Sequence, residues 1–187
     1  TLAAYAQAGD IYRMYEINPV VVKLAEGQVG YFTFLADSKG DVTVITGDAR
    51  ISLEKELSRG ELQNFDVLVL DTFSSDSIPV HLVTKEAFAL YLEHLAPNGV
   101  IAAHISNRHL DLQPVIWQLA QEFSLDMVRV SRPAGESGFP SEWVLLTNDI
   151  SLLEIPAIAS HADKYAGYHT SIPMWTDDYS NLFQILR

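Results

Sequence analysis

The stretch NFDVLVLDTFSSDSIP at residues 64–79 decides the fold. It opens with an apolar run at 67–70, VLVL, that has no polar side chain on either face. Such a run is typical of a strand buried on both sides at the centre of a parallel sheet. The run ends on Asp71, and the polar, turn-rich loop that follows contains Asp76. Ligands bind outside the carboxyl ends of strands in open α/β sheets, so both aspartates are candidate functional residues; capping of the next turn is the alternative for Asp71.

The length and composition predict one folded domain over residues 1–187. The less regular pattern of the final residues divides it into a core at 1–149 and a C-terminal extension at 150–187. Apolar residues make up 48% and charged residues 19% of the chain, which is typical of a globular protein. No apolar run reaches the length of a membrane span. The chain has no cysteine, which agrees with a cytoplasmic location. The net charge of −12 argues against nucleic-acid binding and is compatible with a cationic substrate or simply with solubility.

Strand and helix patterns alternate along most of the chain. They predict strands at 11–16, 42–45, 66–71, 100–105, 127–130 and 143–146, and helices at 20–26, 49–57, 84–95 and 112–123. Asn18 and Pro19 suit an N-cap and a first helical position, and the Pro-Asn-Gly segment at 97–99 is typical of a stop. The alternation predicts an α/β, Rossmann-like, mostly parallel sheet with helices on both faces. The last strand is expected to run antiparallel, because no helical pattern precedes it.

Polar residues follow four of the predicted strands, at Glu16, Asp48, Asp71 and 106–107. In a parallel sheet these ends lie on one edge, so a row of acceptors along a cleft is expected. A carboxylate at Glu16 suits the two hydroxyls of a ribose, although a surface glutamate before a turn has the same pattern. Asp48 suits an exocyclic amine such as that of adenine, and is equally suited to cap the helix that follows.

Several segments resemble the spermidine synthase (polyamine aminopropyltransferase) family within the class I adenosylmethionine-dependent methyltransferase fold. They are YEINP at 15–19, TGDAR at 46–50, the stretch at 65–79, LAPNGV at 95–100, HISNRHLDL at 104–112 and WTDDYSNLF at 175–183. The resemblance spans roughly residues 1–149 in order and spacing. The last two segments resemble the spermidine-synthase-like domains that can be fused to membrane transporters.

The resemblance implies a role for each matching residue. Glu16, with Ile17 beside it, would hold the ribose hydroxyls of a nucleoside. Asp48, with Ala49 beside it, would hold the adenine. Asp71 would be the catalytic acid and would also contact the bound co-substrate, and Asp76 would be the second acid of the site.

Three features depart from the family pattern. The two aspartates are five residues apart, whereas those of the family are closer together and are followed directly by proline. The family's first strand with its glycine-rich loop, and its small N-terminal β-domain, have no counterpart here, so the sequence is predicted to be N-terminally truncated. Without that strand, the strands at 11–16 and 66–71 are expected to lose their shared central neighbour.

The activity implied by the resemblance is transfer of an aminopropyl group from decarboxylated adenosylmethionine to an amine acceptor such as putrescine, without a metal. The alternatives are an adenosylmethionine-dependent methyltransferase and a non-catalytic nucleoside-binding domain of a membrane transporter fusion. The expected partners are a small polyamine or amine, an upstream membrane transporter domain and a second copy of the chain. The expected location is the cytoplasm, or the cytoplasmic side of a membrane protein.

The remaining polar residues have weaker signals. The six histidines are not paired at helical metal spacing, so no metal site is predicted. His104 lies inside an apolar strand and is predicted to be a core histidine with its hydrogen bonds satisfied, rather than a ligand. The acidic pair at 177–178 either returns to the mouth of the cleft or forms a solvated turn.

Overall fold

The structure is a computed structural model of the chain and describes residues 2–27, 30, 32–71, 79–133, 140–165 and 168–187. The chain divides into two compact units, Thr1–Glu61 and Leu62–Arg187. Each unit is described by itself. The single nucleoside-binding domain with its core at 1–149 and extension at 150–187 stays a prediction. None of the described helices is both long and apolar enough to cross a membrane.

The first unit is built on a pair of parallel strands. Its elements are a 3-10 helix (Leu2–Tyr5), β1 (Ile11–Glu16), α1 (Pro19–Ala25), β2 (Asp41–Thr46) and α2 (Ala49–Ser58). The predicted caps are confirmed: Asn18 Oδ1 accepts from the Val20 amide at 2.9 Å, and Asp48 Oδ1 accepts from the Ile51 amide at 3.0 Å. Strands β1 and β2 run parallel in register, so both end at the same edge.

A buried carboxylate joins β1 to α2 inside this unit. Glu56 is 2% exposed, and its two oxygens accept from Arg13 Nη2 at 2.6 Å and from the Tyr15 hydroxyl at 2.8 Å. Arg13 Nε also donates to the Tyr15 oxygen at 3.0 Å. Burial, together with the bond to Glu56, raises the pKa of Tyr15 above its ordinary value. Because a buried charge is tolerated only when it is paired and hydrogen-bonded, this network determines how β1 packs on α2.

The second unit is a five-stranded sheet with helices. Its elements are β3 (Phe65–Leu70), a 3-10 helix (Val80–Leu82), α3 (Lys85–His94), β4 (Leu95–His104), α4 (Gln113–Glu122), β5 (Asp126–Arg132), β6 (Ser141–Thr147), α5 (Ile150–Leu153), α6 (Pro156–Ala159), β7 (Ala162–Lys164) and a 3-10 helix (Leu182–Ile185). The strand order is β3-β4-β6-β5-β7. Strands β3 and β4 are parallel, whereas β6 is antiparallel to both β4 and β5. The α/β fold and the antiparallel last strand of the core are therefore confirmed.

The core of the second unit lies between its sheet and the apolar faces of α3 and α4. Phe88 and Leu119 are 0% exposed, as are Ile101 and Leu146 from the central strands. Burying each of these side chains contributes about 1.5–3 kcal/mol. Trp175, from the C-terminal segment, is 1% exposed, so the extension also contributes to this core.

One expectation for β3 is wrong. Leu68 and Leu70 are buried as predicted, but Val67 is 57% exposed. Among the described residues, β3 pairs only with β4, so it is an edge strand and not the centre of a sheet, in agreement with the expected loss of its central neighbour. The apolar run therefore predicted the strand correctly, but fewer of its side chains are buried than the pattern indicates.

The helix predicted at 84–95 ends at His94, in agreement with the stop signal at 97–99, but the next strand begins earlier than the predicted residue 100. Strand β4 begins at Leu95, directly after α3, and the Pro-Asn-Gly segment lies within it. Leu95 pairs with Phe65 and Val100 with Val67, so five steps along β4 match two along β3, as in a bulge. A Cβ on Gly99 would lie 2.6 Å from Leu95 Cγ and 2.7 Å from the Phe65 carbonyl oxygen, so only glycine fits there.

Candidate functional site

Glu16 and Asp48 lie at the carboxyl ends of the parallel strands β1 and β2, as predicted. Glu16 Oε1 accepts from the Asn18 amide at 2.7 Å, and the backbone carbonyl oxygen of Glu16 accepts from the Gly47 amide at 2.9 Å. One oxygen of this carboxylate therefore bonds the loop that follows β1. Ile17 in that loop is 68% exposed.

Gly47 makes the sharp turn that places Asp48 at the N-terminus of α2. Its φ of +150° lies in the region that favours glycine, and a Cβ there would lie 3.3 Å from Ser52 Oγ. Asp48 caps the helix, and Ala49 is the first helical residue. The capping role of Asp48 is confirmed, and its contact with an adenine stays a prediction.

Asp71 follows β3 directly, and its side chain is 53% exposed. Leu70 pairs with Ala103 in the parallel register, which brings the next residue, Asp71, beside His104 at the end of β4. Asp71 Oδ1 lies 2.7 Å from His104 Nδ1. The second candidate acid, Asp76, lies outside the described residues.

His104 is a further candidate site residue, which the sequence predicted to lie in the core instead. Its hydrogen bonds are satisfied as expected, but it does not lie in the core, because its side chain is 22% exposed. Besides Asp71, it contacts Ser106, with Nε2 2.7 Å from Oγ. The available signal was its position at the end of a strand that neighbours β3, since polar groups at two adjacent strand ends meet.

The loop after β4 is held by its own side chains and by β6. Asn107 Oδ1 accepts from the amides of His109 and Leu110 at 2.9 and 2.8 Å. Ser106 Oγ accepts from the Glu142 amide at 2.7 Å. These bonds fix the position of the Ser106 hydroxyl beside the imidazole of His104.

Asp177 lies at the N-terminus of α3. Its Oδ1 accepts from Thr84 Oγ1 at 2.8 Å, and its amide donates to Glu86 Oε2 at 2.9 Å. Thr84 Oγ1 also accepts from the Ala87 amide, as expected of an N-cap. Asp177 therefore anchors the C-terminal segment to the start of this helix.

The predicted site residues divide between the two units. Glu16, Ile17, Asp48 and Ala49 belong to the first unit, and Asp71 to the second, so the single row of acceptors stays a prediction. Within the described ranges, no three histidine or acidic side chains are grouped to hold a metal ion. A cavity of about 290 Å³ in the second unit, lined in part by Trp117, Met127 and Tyr165, includes none of these site residues.

Sequence comparison relates part of the chain to a polyamine enzyme. No model of a known protein family matches the chain. It is 36% identical over 89 residues to the polyamine aminopropyltransferase of Vibrio vulnificus (strain CMCP6), covering 48% of this chain and 27% of that protein. The chain thus matches about a quarter of the length of this curated relative.

Solved structures share the fold. Spermidine synthase from Thermotoga maritima superposes with a TM-score of 0.54 at 13% identity, covering 89% of this chain and 53% of that one. A spermidine synthase in complex with the transition state analogue AdoDATO gives 0.52 at 14% identity, with the same coverage. The O-methyltransferase from Bacillus cereus in complex with SAH gives 0.51 at 16% identity, covering 79% of this chain and 67% of that one. The resemblance to spermidine synthases and the class I methyltransferase fold are thereby confirmed.

Proposed function

We propose that the protein transfers an aminopropyl group from decarboxylated adenosylmethionine to a polyamine acceptor such as putrescine. The observation that carries the proposal is the 36% identity with a polyamine aminopropyltransferase in a chain of the spermidine synthase fold. The geometry around Asp71 supports it, because this half-exposed carboxylate stands at a strand end, where ligands of such folds bind.

In this proposal the first unit holds the nucleoside. Glu16 and Ile17 contact the ribose, and Asp48 and Ala49 contact the adenine. Two of the structural neighbours are complexes with AdoDATO and with SAH, which supports an adenosyl co-substrate. Asp48 performs its capping and binding roles together, since Oδ1 bonds the Ile51 amide and a carboxylate has further lone pairs.

The proposed reaction is a displacement at the carbon next to a sulfonium. The acceptor amine arrives as an ammonium and must lose a proton before its nitrogen can attack. Asp71 takes that proton, directly or through a water molecule. The nitrogen lone pair then forms the N–C bond, and the electrons of the broken C–S bond stay on sulfur, which leaves as a neutral thioether.

The second acid, Asp76, is proposed to anchor the distal ammonium of a diamine. The net charge of −12 favours a cationic acceptor over an anionic one. Positioning of the amine against the co-substrate supplies much of the rate enhancement. The reaction requires no metal, because the sulfonium is already a good leaving group.

Methyl transfer from adenosylmethionine is the second candidate. The observation that favours it is the structural similarity to an O-methyltransferase. It uses the same nucleoside contacts and needs only one acid near the acceptor. A location in the cytoplasm, a homodimer and an attached transporter domain stay predictions.

The first test is isothermal titration with adenosylmethionine, its decarboxylated form and methylthioadenosine. Tightest binding of the decarboxylated form supports the proposal, whereas preference for adenosylmethionine favours methyl transfer. Absence of binding to the folded protein overturns both, and binding without turnover of any amine indicates a non-catalytic nucleoside-binding domain.

Two variants and one control variant sharpen the test. Asp48→Ala removes the proposed adenine contact and also a helix cap, so Asp149→Ala is the matched control. Asp149 caps α5 through the Ser151 amide at 3.0 Å and is not a proposed ligand. Nucleoside binding should be lost in Asp48→Ala and retained in Asp149→Ala. Asp71→Asn should retain nucleoside binding and lower kcat by about 100-fold or more, because an amide cannot accept the ammonium proton.

A further inference from the structure

The Asp71 carboxylate begins a chain of hydrogen bonds within the second unit. Asp71 Oδ1 lies 2.7 Å from His104 Nδ1, and His104 Nε2 lies 2.7 Å from Ser106 Oγ. The Glu142 amide donates to the same Ser106 oxygen at 2.7 Å. Trp143 stacks on the imidazole, with ring centroids 4.6 Å apart and planes 17° apart. The ring of His104 is therefore held at both nitrogens and on one face.

The donors along this chain determine where the neutral imidazole carries its proton. Ser106 Oγ accepts from the Glu142 amide, and its single proton can point either to His104 Nε2 at 2.7 Å or to the Glu142 carbonyl oxygen at 3.5 Å. The shorter contact is the better hydrogen bond. Since an ionised carboxylate only accepts, His104 then carries its proton on Nδ1 and donates it to Asp71.

We infer that His104 is a positioning residue for Asp71, with its tautomer set jointly by Asp71 at Nδ1 and by Ser106 at Nε2. Which imidazole nitrogen is protonated depends on the bond that the other nitrogen makes, and here Ser106 occupies Nε2. The Nδ1–H bond holds Asp71 Oδ1 and leaves Oδ2 for the substrate ammonium. This inference rests on the proposed function, in which Asp71 accepts the amine proton.

The charged side chain of β6 beside Trp143 is already paired. Glu142 Oε2 lies 3.3 Å from Arg187 Nη2, and its Oε1 lies 4.0 Å from Arg129 Nη1. Among these described contacts, Asp71 is the carboxylate that bonds His104 directly. Asp71 is therefore the carboxylate that orients the imidazole through Nδ1.

The tautomer can be measured without any activity. Side-chain ¹H–¹⁵N correlation spectra of the intact protein distinguish protonation at Nδ1 from protonation at Nε2, and His104→Gln assigns the resonance by its disappearance. We expect the Nδ1–H form at neutral pH in the wild type and a loss of that preference in Asp71→Ala. A wild-type imidazole protonated at Nε2 would overturn the inference, whatever the protein catalyses.

Kinetics test the positioning role. His104→Ala should lower kcat/KM for the amine by about 100-fold, the usual scale for a misplaced reacting group, with nucleoside binding unchanged. His104→Gln retains an N–H donor toward Asp71, so it should restore most of the rate. His161→Gln, on an exposed histidine, is the control and should match the wild type.

The outcomes separate the two proposals. A His104→Ala protein with wild-type kcat/KM for the amine would overturn the positioning role while leaving aminopropyl transfer intact. A wild-type protein that turns over no amine would overturn the proposed function. In that case the tautomer measurement still decides whether His104 donates to Asp71.

Discussion

Replacing Arg13 with methionine is expected to destabilise the first unit by about 2–4 kcal/mol. Arg13 Nη2 donates to Glu56 Oε1 at 2.6 Å, and the Glu56 side chain is 3% exposed against 25% for Arg13. Removing one partner of a buried pair costs about 3–5 kcal/mol, because the other charge stays buried and uncompensated. The loss should be somewhat smaller here, since Arg13 is a quarter exposed and the Tyr15 hydroxyl still donates to Glu56 at 2.8 Å.

Hydrogen exchange is the suitable assay for this variant. The three tryptophans, Trp117, Trp143 and Trp175, all belong to the second unit, so fluorescence does not report on the first. Hydrogen exchange of the amides of β1 and β2, measured by mass spectrometry, reports directly on the stability of the first unit. A loss of 2–4 kcal/mol corresponds to roughly 30- to 1000-fold faster exchange by local opening.

The matched control is Arg59→Met. Arg59 pairs with Glu61 at 2.9 Å, but both side chains are more than half exposed, at 57% and 51%. Such surface pairs contribute about 0–1 kcal/mol, so exchange should change little. If β1 and β2 exchange at the same rate in Arg13→Met and Arg59→Met, the reasoning from burial is refuted.

Three further predictions concern stability. Thr84→Val should destabilise the second unit by about 1 kcal/mol, because Thr84 caps α3 and donates to Asp177. Urea unfolding followed by tryptophan fluorescence checks this prediction, and an unchanged unfolding midpoint would contradict it. Gly99→Ala should cost about 1–3 kcal/mol in the same assay, since its Cβ would lie 2.6 Å from a side chain and 2.7 Å from a backbone oxygen; wild-type stability would show that the bulge can relax. Burial raises the pKa of both Tyr15 and Tyr165, so each contributes stability that is complete below the ordinary tyrosine pKa of about 10 and is lost as the pH rises through the higher folded-state pKa. Absorbance titration of the phenolates should show these two tyrosines ionising last, together with unfolding of the protein. If they ionise at the same pH as the exposed tyrosines while the protein stays folded, the prediction is contradicted.

The local elements of this fold could be predicted because their causes lie within a few residues. Asn18 and Asp48 bond amides two and three positions further along the chain, so their residue types and spacing were sufficient. The helix at α4 likewise followed from apolar residues on one face, since Val115, Ile116 and Leu119 are all buried.

The pairing of Asp71 with His104 could not be predicted in this way. The two residues are 33 positions apart, and they meet because the register of β3 and β4 places Leu70 opposite Ala103. The sequence placed Asp71 at a strand end but left its neighbour undetermined. A histidine within an apolar run was therefore assigned to the core instead of the strand edge.

Periodicity and capping in the sequence were enough to identify the strands, the helices and the acids that follow the strands, because those signals act over one or two turns of chain. Burial and pairing were decided only in three dimensions. Val67 is exposed because β3 has β4 as its one described neighbour, and the segment 97–99 lies inside a strand because Gly99 packs closely against Phe65. Both outcomes depend on which distant segments lie alongside, and a side chain's own residue type carries no information about those neighbours.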